Sequence, residues 1–429
     1  MAKTYRPYVP EQDLLLPPSL RDWLPEGHLA FFVSDLVDQL DLAAITNVYE
    51  DEERGYPPYH PVMLTKVVVY AYCSGVFSSR KIQRRLVEDV AFRVLAAGNQ
   101  PDFRTIADFR KTHLPALCGF FEQVLRLARE LGAPRVGRVA LDGSKIKANA
   151  SKHKAMSYGR MRETQRQLRD EVTDLLAQAE TADAAEDAEF GADRPGDELP
   201  AELQRRESRL QRIREAKRAL EERARAEAGA QGQPAAEAKP DPKAQYNFTD
   251  PESRIMMSPD GFIQGYNVQI AVDELQLIVG QAVTQETNDK KQLMPMITTI
   301  AQQLGDTPSQ VLADAGYCSD ESLTAVADTN IEAFIATRKQ KHGERSGPCP
   351  RRPLPKDATI VDRMARKLQT KAGAAVYAAR KGMVEPVIGQ IKHARGFRQF
   401  LLRGFEKVQG EWSLVCTTHN ILKLYRLCV

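Results

Sequence analysis

Six cysteines are scattered through the 429 residues, and no two of them form a CxxC pair. Their spacing (Cys73, Cys118, Cys318, Cys349, Cys416, Cys428) argues against a zinc finger and against a disulfide framework, and fits a reducing compartment. Long apolar runs are also missing. The longest, near Val67 to Cys73, falls far short of the ~20 residues that a membrane span needs. Met1 to Pro10 carries Lys3 and Arg6 with no apolar core after them, so no signal peptide is expected. These absences predict a soluble, cytoplasmic protein with no membrane partner.

What is present is a long chain with an uneven charge distribution. Its length exceeds the usual single domain of about 100–200 residues, so two or three domains are expected. Hydrophobic residues make up 42%, enough for sizeable cores. The formal net charge of +3 hides local extremes. From Arg338 to Arg403 there are 17 Lys or Arg against four acids, whereas Glu180 to Glu202 holds nine acids opposed only by Arg194. A basic concentration of that kind suits a polyanion such as nucleic acid, the bland alternative being a solvated basic face.

Apolar periodicity predicts a helical region over residues 1–135, with Met63, Val67, Tyr70 and Ala71 on one face and Phe121, Val124, Leu125 and Ala128 on another. Within it, a helix from Ser79 to Glu88 is followed by a break at Gly98 and Pro101. A further helix from about Thr105 to His113 carries Arg110 and Lys111. This pattern resembles a helix-turn-helix unit, which would set those two cations against DNA, although a small helical bundle reads the same way.

A second region, 136–429, opens with a short strand (Val136, Val139, Leu141) expected to end at Asp142-Gly143. Residues 155–243 read as an inserted antiparallel helical hairpin with an acidic, Ala-rich loop and a flexible Gly/Gln/Pro/Ala flank. One helix presents Leu168, Val172, Leu175 and Leu176, and the other Leu203, Leu210, Ile213 and Leu220. The hairpin is either a solvated arm or a contact for DNA or another subunit. Strand patterns resume on both sides of Asp273-Glu274 as adjacent antiparallel strands. A helix over 290–304, a strand ending at Asp314, a helix capped near Ser319 and a strand over 331–336 follow. Residues 338–355 read as a Pro- and basic-rich loop, and the remainder as mostly helical. The order predicts an α/β domain, a mixed sheet flanked by helices.

Asp142 and Asp314 each close a strand in this reading, so neighbouring strands would bring both carboxylates to one sheet edge. Paired carboxylates there bind hard divalent cations, and a third acid on a helix would complete a two-metal site. Taken singly, each aspartate is equally well a turn residue. Glu385 is the third candidate. On a helix it shares one face with Tyr377, Lys381 and Lys392, a lone acid among cations. Pro386 is expected to kink or restart that helix. A salt-bridged glutamate on an amphipathic helix is the ordinary alternative. Asn267 and Gln269 alternate with Val268 and Ile270 and share one face of a strand, directed either to the site or, more commonly for such residues, to solvent. His393 and His419 have no partner at metal or triad spacing and read as structural or phosphate-adjacent.

The segments LDGSKIKANAS, TDPESRIM, GYNVQIAVD, VLADAGYCSDE and Y-x-x-RKGMVE-PVIGQIK, in this order, resemble the DDE transposases of bacterial insertion sequences. HPVMLTKVVVYAYCSG and TIADFRKTH resemble the N-terminal domain of one branch, so the likeness covers nearly the whole chain. It implies a ribonuclease-H-like catalytic domain over 136–429, preceded by an all-α DNA-binding domain over 1–135. Asp142, Asp314 and Glu385 would be the metal-binding acids, holding two Mg2+ or Mn2+ ions. In that family a Tyr, an Arg and a Lys surround the catalytic Glu with two, three and six residues between. Tyr377 and Arg380 keep the first gap, Lys381 keeps the second, and Lys392 keeps the third. The arginine role therefore lies open between Arg380 and Lys381, while Lys392 would hold a phosphate near the cut and Tyr377 would stack or hydrogen-bond there. The resemblance further implies cleavage at the element's terminal inverted repeats, strand transfer into target DNA, a homodimer on DNA and association with the nucleoid. A nuclease that cuts without joining and an inactive DNA-binding descendant are the alternatives. The latter would be expected to have lost one of the acids, and all three are present.

Overall fold

The computed structural model describes residues 19–50, 57–133, 137–190, 201–230, 232–234, 238–259, 261–338, 349, 353–355 and 357–428. Met1 to Pro10, most of the 338–355 loop and the loop between the two hairpin helices lie outside them.

Seven helices come first: α1 (Leu29–Asp38), α2 (Ala43–Glu50), α3 (Pro61–Cys73), α4 (Ser79–Glu88), α5 (Val90–Leu95), α6 (Phe103–Thr112) and α7 (Leu114–Glu130). Their ends follow local chemistry. Pro61 opens α3, where its missing N–H costs nothing, and the Asp102 carboxylate caps α6 by accepting from Thr105 N at 2.7 Å. α3 is buried on all sides from Leu64 onward except at Lys66, which makes it the central helix of this region.

The sheet is mixed. β1 (Arg138–Lys147) pairs antiparallel with β5 (Gly261–Asp273) and parallel with β7 (Gln310–Ala313), which pairs parallel with β8 (Glu332–Ile335). The far side of β5 is shared: its first residues pair with β4 (Arg254–Ser258), and Asn267 onward pairs with β6 (Ile278–Thr284). β5 is buried from Ile263 to Asp273 because the sheet is covered on both faces. Helices α10 (Leu293–Leu304), α11 (Asp320–Ala327), α12 (Ile360–Gln369), α13 (Lys371–Gly389) and α14 (Phe405–Cys428) complete this part. α14 packs against α3 and α7 on one side and β6 on the other, and a single apolar core runs from Ala30 to Leu424. The helical region and the sheet thus share their interior.

Between β1 and β4 lies the inserted arm. β2 (Ala155–Ser157) and β3 (Gln245–Asn247) form a small separate sheet, from which α8 (Tyr158–Phe190) and α9 (Ala201–Ala230) extend. The two helices run antiparallel: Tyr158 donates to Glu221 at 2.8 Å, and Arg206 pairs with Glu171 at 2.9 Å. The arm has its own core of Tyr158, Met161, Leu168, Leu210, Ile213, Ala216 and Leu220. Leu176, expected on the buried face, is instead exposed.

Three sequence expectations change. β1 does not end at Asp142-Gly143 but continues to Lys147, because β5 pairs with it along the whole length. Nor does Pro386 break its helix; it sits inside α13. Pro386 has no N–H for the Gly382 carbonyl one turn back, and the Gln276 side chain donates to that carbonyl instead, at 2.8 Å. Finally, α13 widens into a π turn over Gln390–Ala394, which the apolar spacing did not signal.

Candidate active site

β7 is shorter than β1, and the site lies where β7 stops. The parallel register pairs Val139 with Val311 and Ala140 with Leu312, so two residues further on Asp142 comes level with Asp314. Each aspartate is held by its own turn: Gly143 N donates to Asp142 Oδ1 at 2.9 Å, and Gly316 N donates to Asp314 Oδ1 at 2.8 Å.

α13 crosses this edge and brings Arg380. Its Nη1 lies 3.9 Å from Asp142 Oδ2, and that nitrogen has no hydrogen-bond partner among the described residues. Tyr377, one turn earlier and half-buried, lies beside the same guanidinium. Lys381 points to solvent. Of the two candidates for the arginine role, Arg380 is the one that faces Asp142. From beyond Gly389, Lys392 donates to Ser144 Oγ and to the Lys145 carbonyl, the latter at 2.9 Å, and lines a narrow cleft with Asp142 and Ile388. Glu385 is exposed on α13, one turn ahead of Ile388. Among the described residues, no three acids, histidines or cysteines are close enough to form a ready-made metal cage.

A further acid, not singled out in the sequence, lies beside Asp142 and Asp314. Asp289 Oδ1 accepts from Asn267 Nδ2 and Gln269 Nε2, each at 2.7 Å, with Lys145 Nζ at 3.5 Å. Asn267 and Gln269 are fully buried, so the solvent-facing reading of that strand face is wrong. The Tyr317 hydroxyl donates to Gln269 Oε1. Glycines permit this crowding. A Cβ at Gly143 would stand 2.5 Å from Asp289 Oδ1, and one at Gly316 would stand 2.9 Å from Asp314 Oδ1 and 3.2 Å from Asp289 Oδ2. Asp289 lies in a short loop, TNDKK, where its place just before a helix is the one feature that marks it.

The electrostatics follow from this packing. Burial pushes the Asp142 carboxyl up to about 6, Arg380 pulls it back, and Asp314 and Asp289 push it up again. Burial likewise holds the Lys145 ammonium below its usual range against the pull of Asp289. Carboxylates thus converge on one sheet edge with less positive charge than they need, an arrangement suited to hard cations with oxygen ligands.

The remaining sequence candidates lie elsewhere. Arg110 is buried, donating to Tyr72 Oη at 3.1 Å and the Phe77 carbonyl at 2.7 Å, so its guanidinium is used within the protein and is not offered to DNA. Lys111 beside it is exposed. His419 is fully buried and donates through Nε2 to the Gln276 carbonyl at 3.0 Å, a structural role. His393 is exposed and bonds to Arg398.

No helix among the described residues is long and apolar enough to cross a membrane. Comparison with protein families matches residues 18–112 to a Transposase domain (DUF772) and residues 236–421 to a Transposase DDE domain. Asp314 and Glu385 fall inside the second match; Asp142, on the far side of the inserted arm, precedes it. No curated protein and no solved structure matches the chain. The two matches cover about two-thirds of the sequence, in the order helical region then sheet region, and the chain belongs to the DDE transposases of insertion sequences, metal-dependent polynucleotidyl transferases and endonucleases.

Proposed function

We propose that this transposase cuts DNA at the ends of its element and joins the freed strand to target DNA, using Asp142, Asp314 and Glu385 on a ribonuclease-H-like fold to hold two divalent cations, Mg2+ or Mn2+. The observation that carries this reading is the level placement of Asp142 and Asp314 on parallel neighbouring strands, with Arg380 directed at Asp142. The donor set fits: carboxylate oxygens are hard ligands, and the buried Asp142 carboxyl, raised to about 6 with other acids beside it, gains most from a cation. When bound, the cations polarise the phosphate and help to deprotonate the attacking hydroxyl.

The protein's own groups supply position and charge. Lys392 and Arg380 hold phosphate oxygens beside the aspartates, and Tyr377 steadies the guanidinium. In the first step water attacks a phosphodiester at the element end, and the leaving 3′-oxygen departs as a 3′-hydroxyl. In the second that 3′-hydroxyl attacks a phosphodiester of target DNA and releases a target 3′-hydroxyl. Lys111 lies in the helical region that would read the terminal repeat, with residues 1–135 as the reading domain and 136–429 as the catalytic one. Two element ends in one complex call for a dimer on DNA, in the cytoplasm at the nucleoid.

The test is cleavage and joining of a labelled element end with Mg2+, comparing wild type with Asp142→Ala. Joined products from the wild type alone support the reading. Cut ends without joining reduce it to a nuclease, and DNA binding without any metal-dependent cut removes catalysis by this copy.

A further inference from the structure

Where the inserted arm meets its small sheet, the surface folds in around a half-open cavity of about 740 Å³. Lys154, Arg160, Arg209 and Arg212 line it, against a single acid, Glu215. All four cations are exposed, and none forms an ion pair among the described residues. Two other cations of the arm are paired with acids, Arg206 with Glu171 at 2.9 Å and Lys217 with Glu221 at 3.8 Å. Arg209 and Arg212, three apart on α9, lie on one face, so both can reach into the same space. Four cations and one acid thus face the same concave part of the arm.

Aromatic rings complete the lining. Tyr246 and Phe248 on and just after β3 pack edge-on with centroids 5.6 Å apart, and Phe248 is 37% exposed among these cations. A partly exposed phenyl ring beside arginines suits a ligand with phosphates and flat bases. Proteins that bind single strands combine those two features: a positive groove for the backbone and aromatic faces on which bases stack. A solvated basic face needs neither the concavity nor the rings.

We infer that this cavity docks a DNA strand, its phosphates on Lys154, Arg160, Arg209 and Arg212 and an unpaired base against Phe248. The inference rests on the transposase reading above, since it takes DNA as the substrate. It also sets a distance. Lys154 lies twelve positions after Asp142, a span of no more than roughly 43 Å.

The experiment measures binding of the full-length protein to fluorescent oligo-dT and to a blunt duplex of random sequence, without metal, over a range of salt. Three proteins are compared: wild type, Arg209→Glu with Arg212→Glu, and Phe248→Ala. All three sites are exposed, and circular dichroism checks that each variant folds. The double variant should bind oligo-dT at least ten-fold more weakly and lower the salt slope by about 0.7 for each phosphate that is no longer neutralised. Phe248→Ala should weaken oligo-dT by about ten-fold and leave the duplex nearly unchanged. Unchanged oligo-dT affinity in both variants overturns the proposal, as does a loss confined to the duplex. Because no metal is present, these outcomes are independent of catalysis: a wild type that fails to cut an element end counts against the proposed function, not against the cavity.

Discussion

Arg380 and Asp142 face each other across the edge of the sheet, Nη1 3.9 Å from Oδ2, while the adjacent Lys381 turns to solvent. This gives a direct comparison. Arg380→Ala should lower the cleavage rate at saturating DNA by roughly 10²-fold, the usual scale for a group that stabilises developing charge. Lys381→Ala should change the rate little. Single-turnover kinetics on an element end decide, and equal losses in the two variants would reject Arg380 as the residue that works.

Asp289 accepts from two buried amides and holds its other oxygen beside Gly316. Asp289→Leu should cost about 1–3 kcal/mol, because Asn267 and Gln269 lose their acceptor in the interior. Asp289→Asn retains an acceptor oxygen and removes the charge, so it should unfold close to wild type in urea yet cleave more slowly. Full activity in Asp289→Asn would make the residue a scaffold only.

A buried chain of polar groups joins the helical region to α14. Tyr72 accepts from Arg110 at 3.1 Å and donates to Glu411 at 3.4 Å, and Glu411 accepts from Leu401 N and Leu402 N at 2.9 and 3.0 Å. Removing one charge strands the other in the interior, so Glu411→Ala should lose about 3–5 kcal/mol. Glu411→Ala combined with Arg110→Met should recover part of that loss. Urea denaturation checks both, and a double variant no more stable than Glu411→Ala would show that the charges are not coupled.

Burial, chiefly, and the nearby Arg395 hold His419 down to about 3. The unfolded chain, with an imidazole near 6.5, then binds the extra proton while the native state does not. Stability from this group is complete above about 6.5 and falls as pH drops from there toward 3. His419→Gln keeps a donor for the Gln276 carbonyl and does not titrate, so it should flatten this part of the profile. An unchanged acid slope would place the sensitivity in other residues.

Much of this was legible in the sequence. Asp142 and Asp314 follow short runs of Val, Leu and Ala that read as strands, and the parallel pairing brings them level. The antiparallel pair around Asp273-Glu274 and the helical arm followed from alternation and heptad-like spacing. Other features left no periodic trace. Asp289 sits in a loop, where neighbours are set by tertiary packing. Asn267 and Gln269 carry the polar pattern of a surface strand, and only the enclosed carboxylate explains their burial. Pro386 reads as a kink or restart of the helix, yet it is accommodated because the acceptor it leaves free is satisfied by Gln276, more than a hundred residues earlier. Arg110 looked like a nucleic-acid contact because sequence shows its charge and not its depth.

α14 is covered by α3 and α7 on one side and by the sheet on the other, so neither half presents a finished surface without its neighbour. A copy of the gene that lost its first helices to an in-frame deletion would expose the apolar flank of α14 to water. Such a remnant would aggregate or be degraded before it could fold. Truncation from the front thus disables both halves of the chain together.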